Sequence, residues 1–509
     1  MNRIGYYIEE VKNGVELLST LLIEEFGIDE ASARRYAEKR KSYFEGIKDN
    51  CWLFAEAPYV DRVFRDSYYS YYSSKRNEYN RDCVRISIFA EKIELNDFRN
   101  KDRVSFLMSS YRGFIIIRPT IPQITGRSAI SPKALKENDF SICAVKIQAA
   151  VSAIKLEVEA FPNSSQDTET ITCAETTIWA LMEYFGNKYS HYKPVLPSKI
   201  IETLNRITSE RQIPSKGLNI FQMSYALKEF GFSTRIYSAS SYKNDFKRLF
   251  SCYIESGIPL VLELSNFHLN GAIGHANLCI GLKFPNEKEI DAVPPCAFTR
   301  QYVVDGFKAK KAVIYDWDDI DKKFIFIDDN FPAYQKATFG EPAKHYTSMS
   351  PQWGNCQIRN FIAPLYPKIY LEAYEAKNYL LHYLIYGHQP LADNSEVLIR
   401  FYLTSSRSYK HDLALNETID QNVKVLLIDT PMPKFIWIAE MSDKNSIKKK
   451  LANGILILDA TEANINVNMM IFTAFQGEIN IFGKNTGIPA KYAVPLPPFR
   501  IYENNLKSI

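Results

Sequence analysis

The sequence has no long hydrophobic run and no large excess of one charge. Its most apolar stretches, such as residues 114–117 and 259–262, are far shorter than the roughly 20 residues that span a bilayer. The 62 basic and 58 acidic residues leave a net charge of +4, which gives no reason to expect binding to nucleic acid. The opening segment MNRIGYYIEEVKNG lacks the pattern of a signal peptide. We therefore expect a cytoplasmic protein that does not contact a membrane.

The motifs of several site classes are also missing. The eight cysteines form no CxxC pair, and the seven histidines never fall at zinc-ligand spacing with a cysteine or carboxylate pair. Reduced thiols are expected, most of them buried, with no metal and no cofactor. A P-loop, a Gly-x-Ser-x-Gly elbow and a His-Glu-x-x-His motif are absent, which excludes the commonest nucleotide-dependent enzymes, serine hydrolases and zinc peptidases.

One stretch, residues 59–79, interleaves tyrosines with basic residues. Such interleaving can bind single-stranded nucleic acid. Asp61, Asp66 and Glu78 dilute the positive charge there. The favoured interpretation is an amphipathic helix whose tyrosines pack on their neighbours.

Length and residue pattern predict three regions. At 509 residues the chain is too long for a single hydrophobic core, and its 46% hydrophobic content is typical of a folded protein. Residues 1–150 are expected to be helical and then β-rich, and 151–363 helical to about Phe250 and then β-rich. Residues 364–509 are expected to be α+β and rich in strands, one of them at 423–428. No Pro/Gly/Ser-rich linker separates the flanks, so they should pack on the central region.

The most informative segment is residues 166–186. Thr172 and Glu175 have the spacing of a capping box, which predicts a helix with Thr172 as N-cap and Cys173 as its first residue. Apolar residues then recur at helical spacing up to Gly186, where the helix is expected to stop. A cysteine in the first turn lies at the positive end of the helix dipole, which favours the thiolate. The nearby charge of Glu175 partly opposes this effect, and a nucleophile also needs a base.

A candidate base follows at His275. This residue comes directly after a glycine at the start of a predicted strand, from which its ring can project into a cleft. Another predicted strand, 324–327, ends in Asp328-Asp329-Asn330, where an oxygen could accept the second imidazole N–H and fix its tautomer. Each of these residues alone has an ordinary structural explanation. Their order along the chain and their local settings together favour a Cys-His-Asp site.

The order of these segments resembles that of the papain-like cysteine peptidases. The shared pattern is a glutamine before a cysteine helix, then a Gly-x-Pro strand, a Gly-His strand and a strand ending in aspartate. Within this family the chain is most similar to the bacteriocin-leader, or double-glycine, peptidases, which the segment Lys216-Gly217-Leu218 and the helix after it also resemble. The resemblance covers about residues 161–332. It implies an α+β papain-like central domain with a helical half and an antiparallel sheet half.

The resemblance also implies roles for four residues. Cys173 would be the nucleophile, His275 the general base and acid, and Asp328 the residue that orients the histidine. Gln166 would donate a hydrogen bond to the oxyanion together with the backbone N–H of Cys173. Alternatives stay open for the orienting residue (Asp329, Asn330 and Asp305) and for the base (His268).

The expected function is that of a cytoplasmic thiol hydrolase, a cysteine peptidase that acts on a protein or peptide substrate through an acyl-enzyme. Deamidase, transglutaminase or isopeptidase chemistry is an alternative, because the same nucleophile and oxyanion donor serve all of these reactions. A binding or scaffolding protein that keeps the fold without turnover is another. An unrestrained cytoplasmic protease would be toxic, so the flanking regions or a regulatory protein partner are expected to control it.

Overall fold

The computed structural model of the chain describes residues 4–214, 217–266, 273–296, 301–304, 308–466, 469–483 and 488–509. Its fold is α+β, with several antiparallel sheets. Within these residues, no helix combines the length and the apolar character that a membrane crossing requires. Three residues discussed above, Lys216, His268 and Asp305, lie outside the described residues.

An antiparallel sheet flanked by short helices forms the N-terminal part. Its strands are β1 (Gly5–Glu10), β2 (Trp52–Tyr59), β3 (Cys83–Phe89), β4 (Tyr111–Ile117), β5 (Thr125–Ile130), β6 (Ser141–Ile142), β7 (Val145–Val151), β8 (Ile154–Ala160) and β9 (Asn163–Ser164). Its helices are α1 (Gly14–Phe26), α2 (Glu30–Glu38), α3 (Lys41–Glu45), α4 (Arg62–Ser70) and α5 (Val104–Ser110). The sheet has the order β1-β2-β3-β4-β5-β9, and β7 and β8 pair separately. The tyrosine-rich stretch 59–79 contains the helix α4, whose Val63 and Phe64 are buried.

The central part places helices before a second antiparallel sheet. Its helices are α6 (Cys173–Lys188), α7 (Pro197–Asn205), α8 (Ile220–Glu229), α9 (Ala239–Tyr242), α10 (Asp245–Glu255), α11 (Glu287–Asp291) and α12 (Pro351–Gly354). Its strands are β10 (Ser233–Ser238), β11 (Leu260–Ser265), β12 (Gly274–Leu282), β13 (Gln301–Val304), β14 (Lys308–Lys311), β15 (Val313–Asp316), β16 (Lys323–Ile327), β17 (Gln335–Thr338) and β18 (Gln357–Leu365). The sheet has the order β10-β18-β11-β12-β16-β17.

A third sheet dominates the C-terminal part. Its strands are β19 (Glu396–Ser405), β20 (Phe435–Ser442), β21 (Leu451–Ala452), β22 (Gly454–Asp459), β23 (Met470–Phe475), β24 (Glu478–Phe482), β25 (Pro489–Ala493), β26 (Phe499–Arg500) and β27 (Lys507–Ser508). Its helices are α13 (Ala373–Tyr386), α14 (Ser406–Leu415), α15 (Gln421–Asp429) and α16 (Lys444–Lys448). The sheet has the order β15-β19-β20-β22-β23-β24-β25, and its β15–β19 pair is parallel.

Strand pairing links the three parts. From the N-terminal part, β6 pairs with β12 of the central sheet, and β27 at the C-terminal end pairs with β6. From the central part, β15 joins the C-terminal sheet. Gly281 permits the approach of β6, because a Cβ at this position would lie 2.1 Å from the carbonyl oxygen of Ser141. The flanks therefore pack on the central sheet, while the boundaries at about 150 and 363 stay a prediction.

Two expected features differ from the structure. The predicted strand 423–428 is wrong, since these residues lie in helix α15. The carboxylate of Asp420 caps that helix by accepting hydrogen bonds from two backbone N–H groups, and Val423 and Leu427 are buried one helical turn apart. Gly186 does not end α6, which continues to Lys188. The glycine makes room for Pro194, whose Cδ would lie 2.4 Å from a Cβ at position 186.

Candidate active site

The reactive-cysteine candidate sits where the sequence places it, at the start of α6. The predicted capping box is confirmed: the backbone N and the Oγ1 of Thr172 donate to Oε2 of Glu175 at 3.1 and 2.6 Å. Cys173 is partly exposed, whereas the other seven cysteines are buried. Burial raises the thiol pKa of six of these seven: Cys51, Cys83, Cys143, Cys252, Cys279 and Cys356. Exposure and the helix N-terminus thus coincide at Cys173.

A tight loop connects Gln166 to the cysteine helix. The Oδ1 atom of Asp167 accepts hydrogen bonds from the backbone N–H groups of residues 169, 170 and 171, at 2.7 to 3.0 Å. Arg118 donates to the carbonyl oxygen of Gln166 at 3.0 Å, and the Gln166 side chain donates from Nε2 to Oδ1 of Asn330 at 2.9 Å. Gln166 therefore lies beside the loop that follows β16, and its role as oxyanion donor stays a prediction.

Packing of α6 against β12 brings the thiol to His275. Ile178 of the helix and Leu278 of the strand share one hydrophobic cluster, and Thr177 Oγ1 donates to the carbonyl oxygen of residue 276 at 3.4 Å. His275 forms a side-chain hydrogen bond with Cys173. Its Nε2 lies 3.0 Å from Oδ2 of Asp328. Since Nε2 faces the carboxylate, Nδ1 is the nitrogen left to exchange a proton with the sulfur.

Asp328 is fully buried and accepts hydrogen bonds at both carboxylate oxygens. Oδ1 accepts from the hydroxyl of Tyr346 at 2.8 Å and from the backbone N–H of Asn330 at 3.0 Å. Oδ2 lies 3.0 Å from Nε2 of His275 and 3.2 Å from Nε2 of His345. Burial alone would raise the pKa of Asp328, but the charge of His275 and these hydrogen bonds hold it well below its usual value. Asp328 is therefore a carboxylate at neutral pH.

The same pairing controls the protonation of His275. Burial lowers the pKa of this histidine, but the charge of Asp328 and the hydrogen bonds from Asp328 and Cys173 outweigh burial and raise the pKa well above its usual value. The rings of Tyr346 and Trp353 pack edge-on against the imidazole, with centroids 5.7 and 5.5 Å away. They shield the hydrogen bond to Asp328 from water. The arrangement therefore favours an imidazolium that can face a thiolate.

Asp329 and Asn330, the alternatives for the orienting role, occupy different places. Asp329 Oδ1 lies 3.8 Å from His275 Nε2, and Oδ2 of Asp329 is buried without a hydrogen-bond partner among the described residues. Burial and the neighbouring charge of Asp328 raise the pKa of Asp329 to about 7. The Asn330 amide donates to Asp329 Oδ1 at 3.1 Å and to the hydroxyl of Tyr346 at 2.9 Å. Of the three residues at this strand end, Asp328 makes the shortest contact with His275.

The raised pKa of Asp329 predicts a pH dependence of stability. Between its ordinary value of 3.8 and about 7, the unfolded chain has lost a proton that the folded chain keeps. Raising the pH through this window therefore lowers the free energy of unfolding. Asp329→Asn should reduce that fall, as measured by urea unfolding at pH 4.5 and pH 7.5. The exposed Asp102→Asn is the control, and an equal pH dependence in wild type and Asp329→Asn would contradict this assignment.

Two aromatic residues and a second histidine at the site were not found from the sequence. The hydroxyl of Tyr346 contacts Nε2 of His275 at 3.2 Å as well as Asp328, and His345 bonds to the same carboxylate. Both lie in a 3-10 turn, Lys344–Tyr346, that no hydrophobic period marks. Trp353 lies in the short helix α12. Only the folding of this segment over the sheet brings them to His275, so no local sequence signal could have identified them.

One group of side chains has a geometry that could hold a metal ion. Ligand atoms of His275, Asp328 and Asp329 lie within 4.8 Å of one another. The four hydrogen bonds to Asp328 already provide partners for both of its oxygens. A Cys-His-Asp proton network accounts for these contacts, and the expectation of no metal stays a prediction.

Comparison with known proteins gives no family assignment. No protein-family model matches the chain, and no curated protein matches it either. What the arrangement can do therefore has to be argued from its own chemistry.

Proposed function

We propose that the chain is a thiol hydrolase, a cysteine peptidase of the papain-like type in which Cys173, His275 and Asp328 act as a triad. One observation carries the proposal: His275 lies between the thiol of Cys173 and the buried carboxylate of Asp328, with a hydrogen bond to each. A nucleophile, a base and a group that orients the base are the three parts that nucleophilic acyl transfer needs.

The reaction follows from these positions. The sulfur of Cys173 attacks the carbonyl carbon of the scissile amide, and His275, which holds the thiol proton, gives it to the departing amine. The C–N bond breaks and a thioester to Cys173 remains. Water then attacks the thioester, and His275 takes a proton from that water and returns one to the sulfur. Peptide and water are thereby converted into an acid and an amine, while Asp328 keeps the imidazole oriented and stabilises its charged form.

The N-terminus of α6 supplies one donor for the oxyanion. The backbone N–H of Cys173 belongs to the first helical turn, where N–H groups have no partner within the helix. Gln166 would be a second donor. Its Nε2 has two hydrogens and uses one in the bond to Asn330, so the other can be directed at a substrate oxygen.

A substrate-independent experiment separates the proposed reaction from its alternatives. A peptide library from a digested proteome is incubated with the wild type and with Cys173→Ala, and the products are identified by mass spectrometry. New peptide termini that need Cys173 would support a peptidase. Conversion of glutamine to glutamate, or transfer to an added amine, would instead indicate deamidase or transglutaminase chemistry. No difference from Cys173→Ala under any of these conditions would contradict the proposal.

Asp328→Asn should reduce turnover by about 100-fold or more, because an amide cannot stabilise the imidazolium and selects the wrong tautomer. Asp329→Asn should change turnover little, since Asp328 keeps its contact with the ring. The same library assay measures both rates, with the thermal unfolding midpoint as a check on folding. Equal losses in the two variants would show that the orienting carboxylate is misassigned.

A further inference from the structure

A second cleft lies at the other end of helix α6, away from Cys173. Its volume is about 360 Å³, and it is enclosed by the last turn of α6, the end of β19, the start of α14 and the start of β20. From Cys173 to Lys188 the helix has 16 residues. At 1.5 Å per residue its two ends are about 22 Å apart. The cleft is therefore separate from the candidate active site, and its volume is within the range of small-molecule sites.

Aromatic rings form much of the wall. Phe185 and Tyr192 have ring centroids 5.4 Å apart, and Tyr366 and Phe435 have centroids 4.9 Å apart. The two pairs come from different parts of the chain, the end of α6 and the segments around β18 and β20. Walls of this kind offer ring faces and edges that suit a flat apolar body.

The charge of the cleft has one sign. Its lining includes Lys188 and Lys434 and no aspartate or glutamate. Lys434 Nζ lies 4.2 Å from the ring centroid of Tyr366 and 5.3 Å from that of Phe435. In the described part of the chain, neither lysine meets a carboxylate within ion-pair distance. A positive charge held over aromatic rings without a counter-ion favours an anionic ligand.

Two further features point to a ligand with hydrogen-bond acceptors. Tyr192 is only 5% exposed, and its buried hydroxyl has no hydrogen-bond partner among the described residues. Ser405 and Ser408, at the N-terminus of the ten-residue helix α14, also line the cleft. The positive end of the helix dipole therefore adds to the charge of Lys434.

We propose that this cleft binds a small organic anion, a flat aromatic ring system that carries one carboxylate, sulfonate or phosphate group. The rings of Phe185, Tyr366 and Phe435 hold the flat body. The anionic group lies near Lys434 and the N-terminus of α14, and the hydroxyl of Tyr192 donates to an acceptor atom of the ligand. This binding does not depend on the proposed peptidase activity.

Two fluorescent probes with the same ring system test the proposal on the full-length protein. 8-Anilino-1-naphthalenesulfonate carries an anionic group, and N-phenyl-1-naphthylamine is its neutral counterpart. The sulfonate is expected to bind saturably and more tightly than the neutral probe. Lys434→Met should weaken sulfonate binding by about tenfold, since a charge-assisted contact is lost. Lys434→Arg should retain it, and Tyr366→Leu should weaken the binding of both probes.

The matched control is Lys39→Met, which removes an exposed lysine of the N-terminal part. It should leave the affinity for both probes unchanged, and thermal unfolding should show that every variant is folded. Equal affinities for the two probes would overturn the proposal, because the cleft would then not select an anion. Sulfonate binding that Lys434→Met leaves unchanged, or the absence of saturable binding, would overturn it as well.

Discussion

Replacing His275 with alanine is expected to slow the alkylation of Cys173 by iodoacetamide at pH 6 by about 100-fold, since a free thiol titrates near pH 8.5. In the wild type, the imidazolium of His275 can pair with the thiolate, and its raised pKa keeps that pair charged. The wild-type rate should therefore change little between pH 5 and pH 8. In His275→Ala the rate should rise steadily with pH over the same interval.

His411→Ala is the matched control, because His411 is an exposed residue of α14 far along the chain from the site. Its rate and pH profile should match those of the wild type. His275→Gln provides a second variant of similar size in case the alanine variant unfolds. If either folded His275 variant keeps the wild-type rate at pH 6, His275 is not the base.

Arg400→Met is expected to lower the free energy of unfolding by about 3–5 kcal/mol, because it leaves buried carboxylates without a counter-charge. Arg400, on β19, lies 2.6 Å from Glu255 of α10 and 2.7 Å from Glu440 of β20. All three side chains are at most 6% exposed. The network therefore joins the central helix to the C-terminal sheet, and the loss should appear as a lower urea midpoint.

A control and a rescue distinguish this buried network from an ordinary surface pair. Arg206→Met removes a charge whose partner, Glu202, is 57% exposed, and it should cost less than about 1 kcal/mol. Adding Glu255→Gln and Glu440→Gln to Arg400→Met removes the stranded charges and should recover part of the loss. Similar small effects of Arg400→Met and Arg206→Met would show that the buried network contributes no special stability.

The elements that the sequence predicted well are those in which local pattern and tertiary packing agree. The capping box at Thr172 fixes the start of α6 from residues three positions apart. Strand β12 has a continuous apolar run between two other strands, so its pattern is equally clear. The segment 423–428 is different, because a short apolar run fits either a buried strand or a helix, and the cap at Asp420 decides for the helix.

The site shows the same division. Cys173, His275 and Asp328 each lie at the end of a predicted element, and the structure brings their side chains together. The contacts of Tyr346 and the raised pKa of Asp329 depend on the path of residues 339–356 and on burial. Neither property is local, so sequence pattern alone gives no access to them.

The most direct test of the proposed site is to identify which cysteine reacts first. The full-length protein is treated briefly with iodoacetamide at pH 6, and the modified residues are located by mass spectrometry. Cys173 should be modified well before the seven buried cysteines, and prior loss of His275 should remove this preference. Preferential modification of Cys356, Cys279 or Cys252 in the folded wild type would contradict the assignment of Cys173 as the nucleophile.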